Sequence, residues 1–280
     1  MAVPLGEVLD ALDARYDPAL AESWDAVGLV CGDRAEPVRR VLFAVDPTED
    51  VVDEVIETGV DLLVTHHPLF LTPVHGVPAD DPKGRLVHRL VRAGAALFVA
   101  HTNADRAAGC GVNDALAAVL GLRNCVPLEP AADPLAGLGR VGQLVTRIPL
   151  REFADRAAGV LPVTVGGVRV AGDPEATVAT VAVCGGSGGS LMAAAADAGA
   201  DVFLTSDLKH HSVSEWQQSV SVSVCDVAHF ATEWPWLPVA SDLLVRDLSG
   251  RIEVSVSRRR TDPWTWRAGS DRRSADRPAG

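Results

Sequence analysis

Aromatic residues make up only 5% of the 280 residues, with a single tyrosine among them, so Ala, Val, Gly and Leu must do most of the packing. Cysteine is sparse too: Cys31, Cys110, Cys125, Cys184 and Cys225 are odd in number, widely spaced and never C-x-x-C. That pattern excludes a disulfide framework or a thiolate zinc site and fits a reducing cytoplasm. No apolar run reaches the ~18–20 residues that span a bilayer. The amino terminus carries acids early and no basic start with an apolar stretch, so it does not read as a secretion signal. Positive charge is short as well. Lys+Arg number 25 against 37 Asp+Glu, a net charge of −12, which makes nucleic acid an unlikely and a membrane an excluded charge-driven partner.

What is present describes an ordinary globular chain: 48% hydrophobic and 22% charged residues, enough for one large domain or two ordinary ones. Residues 5–16 place Leu5, Val8, Leu9 and Leu12 at a helical period, and Asp17-Pro18 ends that helix. A rhythm then starts. Apolar strands are expected at 41–45, 61–65 and 96–100, alternating with helices over about 48–58, 83–93 and 113–120. Short apolar strands alternating with amphipathic helices indicate an α/β fold whose parallel sheet is covered on both faces. The second half repeats the plan. Val41–His67 aligns with Val181–Asp207 at an ungapped offset of 140, with Val41/Val181, Gly59/Gly199, Asp61/Asp201 and Thr65/Thr205 identical.

Two related α/β lobes with mostly parallel sheets around a central cleft are therefore expected. The first would occupy 1–122 and the second 181–266, joined by a strand-rich connector at 123–180, with a disordered tail at 267–280. In open α/β sheets ligands gather at the carboxyl ends of strands, so the polar residues just past each strand are the candidates. Strand 61–65 runs into His66 and His67, and strand 96–100 into His101, Asn103 and Asp105. Strand 201–205 runs into Asp207, Lys209, His210 and His211, and strand 220–225 into Asp226, His229 and Glu233. Six of the eight histidines fall in these turns; His75 and His88 lie outside them.

Imidazole and carboxylate without thiolate suit divalent zinc, iron, manganese, nickel or cobalt. Adjacent His66 and His67 point to opposite sides of an extended chain, so each would serve a different ion unless the strand has already turned. His229 and Glu233, four apart, share one face if a helix begins at 229. Taken singly, each histidine also fits a hydrogen-bonded structural role. GGSGGS at 185–190, between strand and helix, fits both a phosphate cradle and a tight structural turn; it lacks the complete G-x-x-x-x-G-K-[ST] pattern.

In order along the chain, WDAVGLVCGD, DLLVTHHPLF, AHTNADRAAGCGVNDALA, ADVFLTSDLKHH and DVAHFATE resemble the Nif-three-like dinuclear metal-centre proteins, commonly named GTP cyclohydrolase I type 2 homologues. The resemblance implies two α/β lobes facing a cleft and two divalent metal ions per chain, held by His66, His67, Asp105, His229 and Glu233. It implies that His67 and Asp105 hold one ion, His66 and His229 the other, and that Glu233 bridges both. His101 would orient a ligand or, with Glu233, move protons. A toroidal homohexamer is implied too. The chain departs from the family pattern at Ala26, Ser206, His210 and around Ala228-His229-Phe230, none of which removes a proposed ligand. The expected activity is metal-dependent hydrolysis of a nucleotide or heterocycle, opening of the GTP imidazole ring being the named candidate. The rival expectation is a non-catalytic metal-binding scaffold or regulatory protein.

Overall fold

The computed structural model describes residues 2–268. In chain order come α1 (Leu5–Arg15), β1 (Gly28–Cys31), β2 (Arg40–Ala44), α2 (Glu49–Thr58), β3 (Leu62–Thr65), α3 (Pro82–Ala93), β4 (Ala96–Val99), α4 (Thr102–Arg106) and α5 (Val112–Val119). The middle stretch supplies β5 (Arg123–Val126), β6 (Arg140–Pro149), α6 (Leu150–Val160) and β7 (Val168–Ala171). There follow β8 (Thr177–Ser187), α7 (Met192–Asp197), β9 (Val202–Ser206), α8 (His210–Ser219), β10 (Ser223–Val227), α9 (His229–Glu233), α10 (Trp236–Asp247) and β11 (Glu253–Val256). The helix ends carry local signals. Thr48 accepts from the Val51 N–H at the start of α2, and Asp81 accepts from Lys83 and Gly84 N–H ahead of Pro82 at the start of α3.

Two sheets carry the expected α/β architecture. The first has the order β11-β2-β3-β4-β1, parallel except for β1. The second has the order β7-β10-β9-β8-β6-β5; its centre β8-β9-β10 is parallel and the three strands of the middle stretch extend it antiparallel. Apolar side chains of α2 and α3 cover one face of the first sheet, and those of α1 and α10 the other. On the second sheet α6 lies on one face and α7 on the other.

The internal repeat is exact at the level of hydrogen bonds. Val41 pairs with Leu62, and Val181 with Val202, the same register displaced by 140. Asp61 Oδ2 accepts from the N–H groups of Arg39 and Arg40, while Asp201 Oδ2 accepts from those of Ala179 and Thr180. Gly59 and Gly199 both take left-handed backbone, at φ 62° and 70°, where a Cβ would be strained. The conserved-looking Gly-x-Asp of the two halves is thus one device: a glycine stop for the helix, then an aspartate that holds the neighbouring strand's start.

The chain crosses the boundaries expected from sequence. Strand β11 leaves the 181–266 segment and pairs in parallel with β2, Glu253 opposite Arg40 through Val256 opposite Phe43. Helix α10 packs with it against α1, so the last third of that segment belongs to the first lobe's core. The 123–180 stretch, read as a connector, lies inside the second sheet. Pairing across hundreds of residues leaves no local trace, and β2 would otherwise be an open sheet edge. Of the tail expected at 267–280, residues 269–280 lie outside the described residues.

Arg140 ties the lobes together. It is 1% exposed and donates through Nε and Nη2 to both oxygens of Asp114, and to the carbonyls of Gly137, Gly139 and Ala107. Removing its carboxylate leaves a buried cation without compensation, which costs about 3–5 kcal/mol, whereas an apolar replacement of both partners is far milder. Asp114→Ala is accordingly expected to lower the urea midpoint sharply, and Arg140→Met with Asp114→Leu to restore much of it. A denaturation series monitored by circular dichroism reads both.

Candidate metal centre

Strand β3 ends at Thr65, so His66 and His67 both stand beyond it, where the chain has already turned. The Thr65 hydroxyl donates to the His67 carbonyl at 2.9 Å and pins that turn. The two imidazoles consequently lie on the same side, ring centroids 5.1 Å apart. Strand β4 likewise delivers His101 and the short helix α4 with Asp105, and β10 delivers α9 with His229 and Glu233. All six residues expected at the site meet between the two sheets, at the carboxyl ends of parallel strands.

Each histidine has one nitrogen already engaged. Nδ1 of His66 faces the Ala100 carbonyl at 3.0 Å, Nδ1 of His67 the Asp46 carboxylate at 2.7 Å, Nδ1 of His101 the Asp25 carboxylate at 2.8 Å, and Nδ1 of His229 the Asp207 carboxylate at 2.6 Å. Carbonyl and carboxylate oxygens only accept, so Nδ1 carries the proton and the lone pair of a neutral ring sits on Nε2. Those Nε2 atoms turn inward. His67 Nε2 is 3.1 Å from Glu233 Oε2, while His66 and His229 Nε2 are 3.3 and 2.9 Å from Glu233 Oε1. Glu233 is 3% exposed, and His66 is fully buried with the ring of Trp236 behind it at 5.5 Å.

Three of the buried side-chain atoms that lack hydrogen-bond partners point to the same centre. His66 Nε2, Asp105 Oδ1 and Glu233 Oε2 are buried and unpartnered, although they approach one another or His67 at 3.1–3.6 Å. Lone pairs gathered in this way repel unless a proton or a cation lies among them. His67, His229 and Glu233 form one group of ligand atoms able to hold a cation, and His66, His67 and His101 another. The nearest approaches pair His66 with Asp105 at 3.6 Å and set His67 with His229.

Charge follows geometry. Burial disfavours the charged form of His67, yet Glu233 and Asp46 outweigh it and raise its pKa to about 11 from an ordinary 6.5. The same contest, won by Glu233 and Asp207, raises His229 to about 9. His66 is raised against its burial by Glu233 and Asp105. Burial would raise Glu233, but the three imidazoles hold it well below the usual carboxylate range, whereas burial dominates at Asp105 and pushes it up.

The Gly-rich turn at 185–190 proves to be structural. The N–H of Gly185 donates to Asn113, that of Gly186 to Thr232 and that of Gly188 to Thr205, so these three groups are spent on acceptors within the protein. Gly186 is needed for another reason. At φ 67°, a Cβ there would lie 2.6 Å from Glu233 Oε1 and 3.0 Å from His229 Nε2. The loop is glycine because its backbone touches the carboxylate at the centre.

Three supporting carboxylates escaped the sequence reading as such. Asp46 follows the strand expected at 41–45, so the strand-end rule that found the histidines could have found it too. Asp207 was noted by that rule but without its task of orienting His229, and Asp25 had no signal beyond its place in WDAVGL. Conversely, His210 and His211 are exposed on α8, and His88 on α3 bonds the Val77 carbonyl. They take no part in the cluster.

Two outcomes are expected. Gly186→Ala should cut metal content well below that of Gly189→Ala, whose Cβ would meet only Leu208 at 3.6 Å, as elemental analysis of the purified variants would read. Raised histidine pKa values stabilise the fold fully below about pH 6.5 and lose that contribution as pH climbs through about 9 and 11. Chelated protein should therefore unfold at lower urea at pH 10 than at pH 6. Added divalent metal, which competes with those protons, should narrow the gap.

Comparison with known proteins places these observations. A family model described as Duf34/NIF3 (NGG1p interacting factor 3) matches residues 3–263. A Streptomyces coelicolor protein named GTP cyclohydrolase 1 type 2 homolog is 52% identical over 267 residues, covering 93% of each chain. A Mycobacterium tuberculosis protein of the same name is 35% identical, over 94% of this chain and 97% of its own; that alignment runs over 371 positions, so the relative has a stretch this chain lacks. Among solved structures, a Bacillus cereus protein related to NIF3 superposes with a TM-score of 0.87 at 24% identity, over 94% of this chain and 99% of its own. Staphylococcus aureus SA1388 gives 0.86 at 28% with the same coverage. The chain, matched over nearly its whole length and built around the cluster described above, belongs to the DUF34/NIF3 family.

Proposed function

We propose that the chain holds two divalent cations between its lobes and uses them to hydrolyse a nucleotide or related heterocycle. The observation that carries this is the inward convergence of imidazole Nε2 atoms on a buried glutamate, every Nδ1 being engaged outside. His66, His67, Asp105, His229 and Glu233 would hold the two ions, with His67, His229 and Glu233 forming one compact group of ligand atoms. Divalent cations bound at such a place supply Lewis acidity, polarising a carbonyl or imine and bringing the pKa of water towards ~7. Supporting hydrogen bonds of the kind made by Asp46 and Asp207 fix ring orientation and raise ligand basicity.

The chain's own proton-moving group is His101. Its Nδ1–H donates to Asp25, which also accepts from Thr102 through N–H and hydroxyl. Burial opposes the Asp25 charge, but these bonds outweigh it and hold the carboxyl well below its usual range. A fixed, ionised partner of this sort lets His101 take a proton on Nε2 and return it, as general base and then general acid. The name carried by the Streptomyces relative makes GTP the first substrate to try.

One observation favours the rival reading, a metal-binding scaffold without turnover: the N–H groups of Gly185, Gly186 and Gly188 are all spent on protein acceptors rather than turned towards a phosphate. A single set of experiments separates the two. Freshly purified protein should contain about two ions per chain by elemental analysis. After chelation, GTP turnover should vanish and return with added metal; turnover that ignores metal dismisses the hydrolase. Glu233→Ala should lose most of the metal and His88→Ala none.

A further inference from the structure

We propose that the cavity beside the histidine cluster is a recognition site for a flat aromatic heterocycle bearing an anionic substituent, the ring stacked on Trp264 and Trp266 and the anion at Arg169. The cavity measures about 620 Å³ and is bordered by His67 and His229 on one side and by the segment Thr261–Arg267 on another. That size suits a mononucleotide-sized molecule.

The segment's pattern is the first argument. In a chain with only 5% aromatic residues, two indoles two positions apart are left 70% and 75% exposed, a poor use of them if their task were packing. Extended backbone places alternate residues on one side, and Thr265 between the two indoles does not border the cavity while both indoles do. The glycines of the lining are the second. Gly166 and Gly167 also line the cavity, and a Cβ at either would meet nothing within 4 Å, so open space borders this part of the wall.

Charge is the third. Three of the four acids on the wall are engaged, Asp46 with His67 and Thr261, Asp207 with His229, and Asp226 with Arg169, while Asp262 is almost wholly buried with one oxygen unpartnered. The Arg169 side chain is 72% exposed, and the structure shows one of its terminal nitrogens on Asp226, leaving other donors of its fork for an incoming anion. Cation and indole together are the pattern that recognises a base with its phosphate.

This inference rests on the hydrolase reading for the position of the reacting atoms, but its contacts are measured without turnover. Calorimetric titration of metal-loaded protein with GMP, guanosine and ribose 5-phosphate is the test. GMP should bind, and each fragment should bind at least ~10-fold more weakly, since stacking and anion contact each contribute about that much. Trp264→Ala and Trp266→Ala should weaken GMP ~10-fold or more with metal content unchanged, and Trp264→Phe should recover most of the loss. Arg169→Ala should weaken GMP and leave guanosine alone. Wild-type protein that ignores GMP, indole variants that bind it normally, or fragments that match it would each overturn the proposal. Metal-free wild-type protein would instead sink the hydrolase reading, while a stacking loss in the indole variants would still stand.

Discussion

Every part of this molecule that bears on function depends on one constraint: a glutamate buried at 3% exposure among three imidazoles whose other nitrogens are tied down. A lone carboxylate at that depth would be too costly to leave ionised. Surrounded by Nε2 atoms it stays charged, and the cluster becomes a place where protons and cations compete for the same lone pairs. The supporting acceptors Ala100, Asp46, Asp25 and Asp207 decide which nitrogen faces inward. The centre is therefore oriented by its surroundings rather than by the ligands alone.

The duplicated architecture supplies the scaffold for that centre. Both halves use the same strand–helix–strand unit in the same register, and each ends its second strand with a polar pair: His66-His67 in one, Ser206-Asp207 in the other. The halves have diverged in task. One presents two imidazoles; the other presents a hydroxyl bonded to Thr232 and a carboxylate that holds His229. A further imidazole reaches the centre from each half, just past β4 and just past β10. Placing the two strand ends face to face brings groups from four distant stretches within a few ångströms.

The lobes are not independent bodies. β11 completes the first sheet after the chain has built the second, and Trp236 on α10 packs against Tyr16, Phe43 and His66 at once. The scarcity of aromatics is resolved here: the single tyrosine accepts a hydrogen bond from the Trp236 indole, deep in the core behind the site. Buried Arg140 adds a polar lock between the halves. Rigid backing of this kind keeps ligand atoms converged when no cation is there to draw them together.

Periodicity marked the main strand–helix rhythm, because apolar spacing is local, and the strand-end rule pointed to the histidines, Asp105 and Glu233 that meet at the centre. The offset of 140 was likewise readable in one dimension. Three things were decided only in three dimensions: the return of β11 to the first sheet, the partnership of Asp25 with His101 and of Asp46 with His67, and the role of Gly186. Each depends on which surfaces meet after the sheets have formed. Spacing along a chain carries no record of which residues of separate elements will touch.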